Sequence, residues 1–207
     1  MMNPDAVPAM TTETRGQTSW FFNNEGVRGG EPLGKFADQK AGLLPEYANE
    51  RTPEDGKTLE HIKSGKDFSV LTAENPNNTR ISDAENAARN RKLVAELREK
   101  GYKPVPVEGN TKDVEGQKEH SFFVPDISPK DAAEFGRAHG QAAILTNQGL
   151  HDLKTDKINP SDNAKVMTGE EARKQPYYSR VGDQDFSVPI DFSKEQPFGK
   201  AEPKKKR

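Results

Sequence analysis

The stretch Asp67-Phe-Ser-Val-Leu-Thr-Ala73 decides the fold, because it begins the part of the chain in which strand and helix patterns alternate. Phe68, Val70 and Thr72 fall on alternate positions, and this period of two predicts a strand. The next residues, Asn75-Pro-Asn-Asn78, have the composition of a loop. The sequence therefore predicts a strand that ends in an asparagine-rich turn.

A helix is predicted over residues 83–100. Ser82 stands three residues before Glu85, the spacing at which each side chain binds a free backbone N–H of the other residue's turn. Apolar residues then recur on one face of the helix. Gly101 follows where a left-handed C-terminal residue is favoured. These signals define both ends of the helix.

Three more strands and a second helix complete the predicted core. Residues 102–107 contain two prolines, and proline's missing N–H places that strand at a sheet edge. Residues 120–124 pair with it as a hairpin. Ser128 and Pro129 begin a second helix, and residues 141–146 form a buried strand.

The resulting order is strand, helix, strand, strand, helix, strand, the split βαβ pattern of ferredoxin-like sheets. It predicts an α+β domain over residues 67–153, with two helices on one face of a mainly antiparallel sheet. Residues 150–153 are a candidate for one further strand.

The segments outside residues 67–153 are expected to be largely irregular. Residues 1–66 form a polar arm whose few apolar residues cannot offset the entropy of ordering it. Residues 154–199 are loop-rich, with a candidate helical turn at 168–173 and a candidate edge strand at 185–192. Residues 200–207 form a basic tail.

Composition limits the classes of protein to which the chain can belong. Hydrophobic residues make up 31% of it and the formal net charge is −2, so one modest core and no strong global field are expected. The chain contains no cysteine and no long apolar run. We expect a cytoplasmic protein that does not bind membranes.

Several short motifs point to a known family: Phe68-Ser-Val-Leu-Thr-Ala-Glu-Asn-Pro76, Glu85-Asn-Ala-Ala-Arg-Asn90, Gly101, Pro106-Val-Glu-Gly109, Glu119-His-Ser-Phe122 and Gly140-Gln-Ala-Ala-Ile144. The pattern resembles the bacterial domain-of-unknown-function family thirty-two ninety-three, which also occurs in mobile elements. The resemblance covers about residues 67–150. It implies a small α/β domain of bacterial or phage-type origin with no agreed activity.

Polar residues cluster where the first strand ends and the capped helix begins. A helix start favours anions, and arginines strengthen that preference. The candidate anion-binding residues are Asn75, Asn77, Arg80, Asn86, Arg89 and Gln141. Alternatively, the asparagines shape the turn and tie the helix to its neighbouring loops.

Glu119 is the candidate catalytic residue, as a general acid or base beside His120. Adjacent strand residues point to opposite faces of a sheet, so the two are not expected to act together. A structural role for Glu119 as a polar contact is the alternative. The four histidines lack metal-ligand spacing, and neither a metal nor a cofactor is predicted.

Two features outside the core are candidate partner contacts. Trp20, Phe21 and Phe22 form an aromatic island in a polar arm, and such rings anchor a segment to its own domain or to another protein. The basic residues at 203–207 are either a solubilising terminus or a weak handle for nucleic-acid phosphates.

Three functions remain open on this sequence. The leading hypothesis is a non-enzymatic binding or accessory protein with a protein partner or a small anionic ligand. The first alternative is an enzyme acting on a nucleotide or phosphorylated small molecule, with Glu119 as base and Arg80 and Arg89 holding phosphate. The second is weak nucleic-acid binding through the tail.

Overall fold

The computed structural model describes residues 55–111 and 118–198. The helices within these ranges are α1 (Asp55–Ser64), α2 (Asp83–Glu99), α3 (Pro129–Ala138) and α4 (Gly169–Arg173). The strands are β1 (Phe68–Leu71), β2 (Val105–Thr111), β3 (Lys118–Pro125), β4 (Ala143–Thr146), β5 (Gly149–Asp152), β6 (Lys157–Pro160), β7 (Met167–Thr168), β8 (Tyr177–Val181), β9 (Gln184–Ser187) and β10 (Gln196–Pro197). Helices and strands are mixed, in agreement with the predicted α+β class.

The strands form one antiparallel sheet in the order β10-β6-β5-β4-β1-β3-β2-β8-β9-β7. Leu145 of β4 and Phe186 of β9 lie on well-separated strands, yet both line the same cavity. This shared cavity shows that the sheet curls. A bridge between Ser161 and Ile190 joins the chain beyond β6 to the chain beyond β9. The curl gives the sheet an inner face and an outer face.

The outer face, here called the helix face, packs against α2 and α3. Leu71 and Phe122 from the sheet share a buried cluster there with Leu93 of α2 and Ala132 of α3. The predicted caps hold both helices at their starts: Ser82 and Glu85 form the reciprocal capping box of α2, and the Ser128 hydroxyl accepts from the Asp131 N–H. Local capping therefore positions the two helices that cover this face.

The inner face holds a second buried cluster. Phe68, Val70 and Phe123 lie there with Ile62 of α1 and Phe186 of β9, and the Phe68 and Phe123 rings stack with centroids 5.3 Å apart. The sheet is therefore apolar on both sides, and α1 with the C-terminal strands covers the side that α2 and α3 leave open.

Two details differ from the predictions. The first hairpin strand is not at an edge, because β2 pairs with β3 on one side and β8 on the other. Its pairing with β8 begins only at Glu108, so Pro104 and Pro106 lie where that side requires no ladder hydrogen bonds.

The segment after residue 153 is also more regular than expected, since it contributes five strands to the sheet. The candidate edge strand is β9, which is shorter than predicted and lies between β8 and β7. The candidate helical turn is α4, and the candidate further strand is β5. Long-range pairing within a mostly polar segment accounts for the elements that local pattern missed.

The described ranges contain no helix with the length and apolar character needed to span a bilayer. The aromatic residues at 20–22 and the basic residues at 203–207 lie outside the described residues.

Candidate functional site

Strand β3 separates the two residues that the sequence placed side by side. Glu119 pairs with Gly109 of β2, and His120 pairs with Glu108. Since successive strand residues point to opposite faces, His120 lies toward the helix face and Glu119 toward the inner face. The structure therefore contains two polar sites on one strand, and they can be compared directly.

On the helix face, His120 belongs to a buried hydrogen-bond network. Its Nδ1 lies 2.9 Å from Glu74 Oε1, and the Glu74 side chain is 8% exposed. The Asn90 side-chain amide donates to the same carboxylate oxygen over 3.1 Å. Asn90 also accepts from the Ala73 N–H at 2.9 Å. One asparagine of α2 thus ties the end of β1 to β3.

This network shifts the charge state of His120. Burial acts to lower the pKa of His120, but the hydrogen bond to Glu74 and the charge of that carboxylate outweigh it, so the pKa is raised. The imidazolium is stabilised by its neighbour. Its hydrogen bond to Glu74 therefore positions His120 as a structural partner.

The asparagines of the turn are bound to one another and to the backbone. Asn86 accepts from the Asn75 N–H at 2.9 Å and donates to the Asn75 side-chain oxygen at 3.1 Å. Asn75, Asn77 and Asn78 all have positive φ, a conformation that asparagine tolerates better than most residues. The Asn77 N–H donates to Gly140 O at 2.7 Å. These bonds shape the turn and dock it on the chain after α3.

Arg89 and Gln141 are used in the same way. The Arg89 guanidinium donates to the carbonyl oxygens of Ala73 and His139 at 2.7 and 2.6 Å. The Gln141 amide donates to Glu74 O at 3.0 Å. The structure thus brings Asn75, Asn86, Arg89 and Gln141 together around the β1–α2 turn, while Arg80 is exposed just before α2. It does not bring any of them to Glu119, which lies across the sheet.

On the inner face, Glu119 lines a cavity of ≈ 40 Å³. A volume of this kind holds more than one water molecule. Its walls come from six strands and the segment after β9: Val70, Gly109, Glu119, Ser121, Leu145, Tyr177, Tyr178, Ser179, Phe186, Ser187, Val188 and Ile190. We call this space the inner cleft.

A glycine lies beside Glu119 in the lining of the inner cleft. Glu119 faces Gly109 across β3 and β2, Gly109 faces Ser179 across β2 and β8, and Ser179 faces Phe186. Directly paired residues share a face of the sheet. Four residues therefore form one row across the inner face: Glu119, Gly109, Ser179 and Phe186. Because glycine has no Cβ, the row has no side chain between Glu119 and Ser179.

The carboxyl group of Glu119 lies in an environment that disfavours its ionised form. The residue is only half-buried, but protein atoms surround its carboxyl group, and that desolvation raises the pKa of Glu119 well above its ordinary value. The negative charge of Glu74 acts in the same direction. Within the described ranges, no hydrogen bond involves this carboxyl group. Glu119 is thus an acid held without a partner against a largely apolar space.

Tyr177 is the second titratable group of the inner cleft. Burial raises the pKa of its hydroxyl, so the phenol stays neutral and presents both a ring and a hydroxyl. Its ring meets Phe192 edge to face at 6.3 Å, and its backbone carbonyl accepts from the Ser187 hydroxyl at 3.0 Å. These contacts hold the β8–β9 wall of the cleft together.

The sequence identified Glu119 but missed the rest of the cleft. Tyr177, Ser179 and Phe186 lie in a segment that resembled loop, and only their pairing with β2 places them opposite Glu119. Glu74 was also missed as the partner of His120. The alternation Glu119, Ser121, Phe123 was a usable signal, because it puts the acid on the face of a large apolar ring. Among residues 55–111 and 118–198, no group of three or more acidic or histidine side chains is placed to hold a metal.

A family model matches part of the chain. No curated protein matches the chain. The match lies within residues 71–144, a segment that includes the β1–α2 turn, β2, β3, α3 and the start of β4, but not the β8–β9 wall of the inner cleft. Over residues 71–144 the chain matches the family described as "Protein of unknown function (DUF3293)", which confirms the family resemblance for that part of the chain.

Proposed function

We propose that this protein is a non-enzymatic binding or accessory protein whose inner cleft takes a small, largely apolar ligand. The observation that carries the proposal is the Glu119 carboxyl group, which faces the cleft without a hydrogen-bond partner in the described residues. The cleft is largely apolar with a few convergent polar groups, which is the usual form of a small-molecule site. A ligand that binds Glu119 would complete its hydrogen bonding.

The strand order supports a division of the sheet into a core unit and a set of added strands. Strands β1 and β2 flank β3 in the sheet, which is the arrangement of a split βαβ unit. We infer a ferredoxin-like unit formed by β1, α2, β2, β3, α3 and β4. The strands added after residue 153 then cover the face of this unit that α2 and α3 leave open, and they form the β8–β9 wall of the inner cleft.

The polar cluster on the helix face gives less support to an anionic ligand. Both Arg89 contacts go to backbone carbonyls, and the amides of Asn75 and Asn86 are engaged within the turn. A phosphate there would have to displace bonds that hold α2 to β1. We therefore place the ligand in the inner cleft.

A catalytic role for Glu119 is the second candidate. A raised pKa in a cleft is typical of general acids, so a protonated Glu119 could donate to a bound substrate. Arg80 and Arg89 would not assist it, because α2 packs on the other face of the sheet. Turnover of a bound compound that is lost in Glu119→Gln, with binding retained, would favour this candidate.

The test of the proposed function is a ligand screen with a filled-cleft control. Compounds that bind the folded state raise its unfolding temperature, and we expect hits among small molecules with an apolar body and one polar group. Gly109→Val puts a β-branched side chain into the middle of the cleft and leaves Glu119 in place, so it should abolish each hit.

Ala88→Val is the matched control, since it adds atoms at an exposed position of α2 and should retain every hit. Hits that survive Gly109→Val, or a screen without hits in the unmodified chain, would contradict the proposal. Gly109→Ala provides a milder filling if the valine variant does not fold.

A further inference from the structure

We propose that the ligand of the inner cleft is a small organic monocation, an alkyl- or arylammonium compound, which pairs with the Glu119 carboxylate. This inference rests on the proposed function and adds the charge of the ligand to it. Three features of the cleft carry it: its ionisable groups, its hydrogen-bonding groups and its rings.

The ionisable groups of the cleft are unbalanced. Its described lining contains one carboxylic acid and no lysine, arginine or histidine. Lys118, the neighbouring cation on β3, is bound to Glu108 Oε1 at 3.0 Å, and Glu108 lies on the His120 side of the strand. Arg180 is likewise bound to Asp185 at 2.7 Å. The nearby cations are therefore committed to other acids, and Glu119 has none of its own.

The surrounding charges add to that imbalance. Glu74 acts on Glu119 through the sheet and opposes its ionisation, and its own partner is His120 on the helix face. From α1, His61 is bound to the carbonyl oxygen of Asp67 at 2.8 Å and its ring contacts Phe123. Tyr177 stays neutral. A cation entering the cleft would thus meet the Glu119 carboxyl group, feel the charge of Glu74 across the sheet and displace no existing positive charge from the described lining.

The remaining walls suit an ammonium group with an apolar body. An ammonium group has three N–H donors and no acceptor, and besides the carboxylate the cleft lining includes Ser121 and Ser179, which lie on the same face of the sheet as Glu119. Tyr177 and Phe186 supply rings, whose faces attract cations. Val70 and Leu145 supply aliphatic contact opposite them. A neutral ligand would use the rings and aliphatic wall but would leave the acid without a counter-charge.

The proposal determines how binding depends on pH. The ammonium ligand pairs with the ionised carboxylate, while the empty cleft favours the protonated acid. Affinity should therefore rise with pH, by about tenfold per pH unit below the pKa of Glu119 in the empty protein, and then level off. A neutral ligand that accepts a hydrogen bond from the protonated acid would show the opposite dependence.

The experiment compares matched probes with the full chain. Benzylammonium and butylammonium are measured against benzyl alcohol and butan-1-ol by thermal shift and calorimetry, and benzyltrimethylammonium keeps its charge at every pH. We expect the primary ammonium compounds to bind and the alcohols to bind at least about 30-fold more weakly. Glu119→Gln should remove that preference, because the amide keeps the shape of the side chain without its charge.

Each outcome has a distinct meaning. Tighter binding of the ammonium compounds, increasing with pH and lost in Glu119→Gln, would support the inference. Alcohols binding as well as or better than ammonium compounds, with Gly109→Val abolishing both, would overturn the charge assignment and leave the proposed cleft intact. If no probe of either kind bound in a manner sensitive to Gly109→Val, both proposals would fail.

Discussion

Two neighbouring polar residues of β3, His120 and Glu119, differ in their hydrogen bonding because they lie on opposite faces of the sheet. On the helix face, His120 lies within hydrogen-bond distance of the Glu74 carboxylate, which also accepts from Asn90. On the inner face, Glu119 has a glycine beside it and no hydrogen-bond partner in the described residues. A satisfied buried network stabilises a fold, whereas an unsatisfied acid lowers stability unless something binds it. The difference indicates which side of the strand holds the structure together and which side remains available to a ligand.

The largest expected effect comes from removing a hydrogen-bonding side chain of the helix face. Asn90→Ala leaves the Ala73 N–H without a buried partner and removes one of the two hydrogen bonds to the Glu74 carboxylate, and we expect it to lower the free energy of unfolding by roughly 3 kcal/mol. Chemical denaturation measures this loss. The control Arg91→Ala changes an exposed residue of the same helix and should stay within about 0.5 kcal/mol of the unmodified protein. Equal stability of the two variants would remove the distinction between the faces.

Glu119→Gln should have a smaller effect of opposite sign. The folded pKa of Glu119 is raised above the ordinary 4.5, so the unmodified protein loses stability as pH rises from that value through the folded pKa. The glutamine variant lacks this loss. We expect equal unfolding temperatures below pH 4.5, and at about pH 8 a variant that is more stable by on the order of 1 kcal/mol.

A variant that is less stable than the unmodified protein at every pH would show that Glu119 is a structural contact. The unfolding temperatures must be measured without added amines, because a bound cation would stabilise only the protein that retains the acid.

The smallest expected effect concerns His120. Its folded pKa is raised above 6.5, so the stability contributed by its charge is present below that pH and is lost as pH rises through the folded pKa. Replacing it with glutamine should flatten the stability profile in that window by roughly 0.5 kcal/mol. Unfolding temperatures across the neutral range measure this change. An unchanged slope in His120→Gln would mean that the pair with Glu74 is not charge-assisted.

The sequence was most informative where structure is local. The capping pair Ser82 and Glu85 and the cap at Ser128 predicted the starts of α2 and α3 correctly, because these signals act within one helical turn. Alternation along β3 predicted that Glu119 and His120 would separate. Each of these inferences needed only residues that lie close together in the chain.

The sequence was least informative where distant segments pair. Strand β6 has one buried apolar residue, Ile158, in four positions, and β8 is half-buried along most of its length. Neither carries a clear period of two, so their places in the sheet depend on pairing with β5 and β2. The opposite wall of the inner cleft could not be predicted for the same reason.

The pairing of β2 with β8 also has a consequence for biosynthesis. Gly109 meets Ser179 across the ladder, so a growing chain can complete β1, α2, β2, β3, α3 and β4 well before its partner strand leaves the ribosome. During that interval Phe68, Val70 and Phe123 lack the β8–β9 cover and form an exposed apolar surface. We therefore expect the nascent protein to be prone to aggregation at this stage, and chains ending before residue 177 should require a chaperone to remain dispersed.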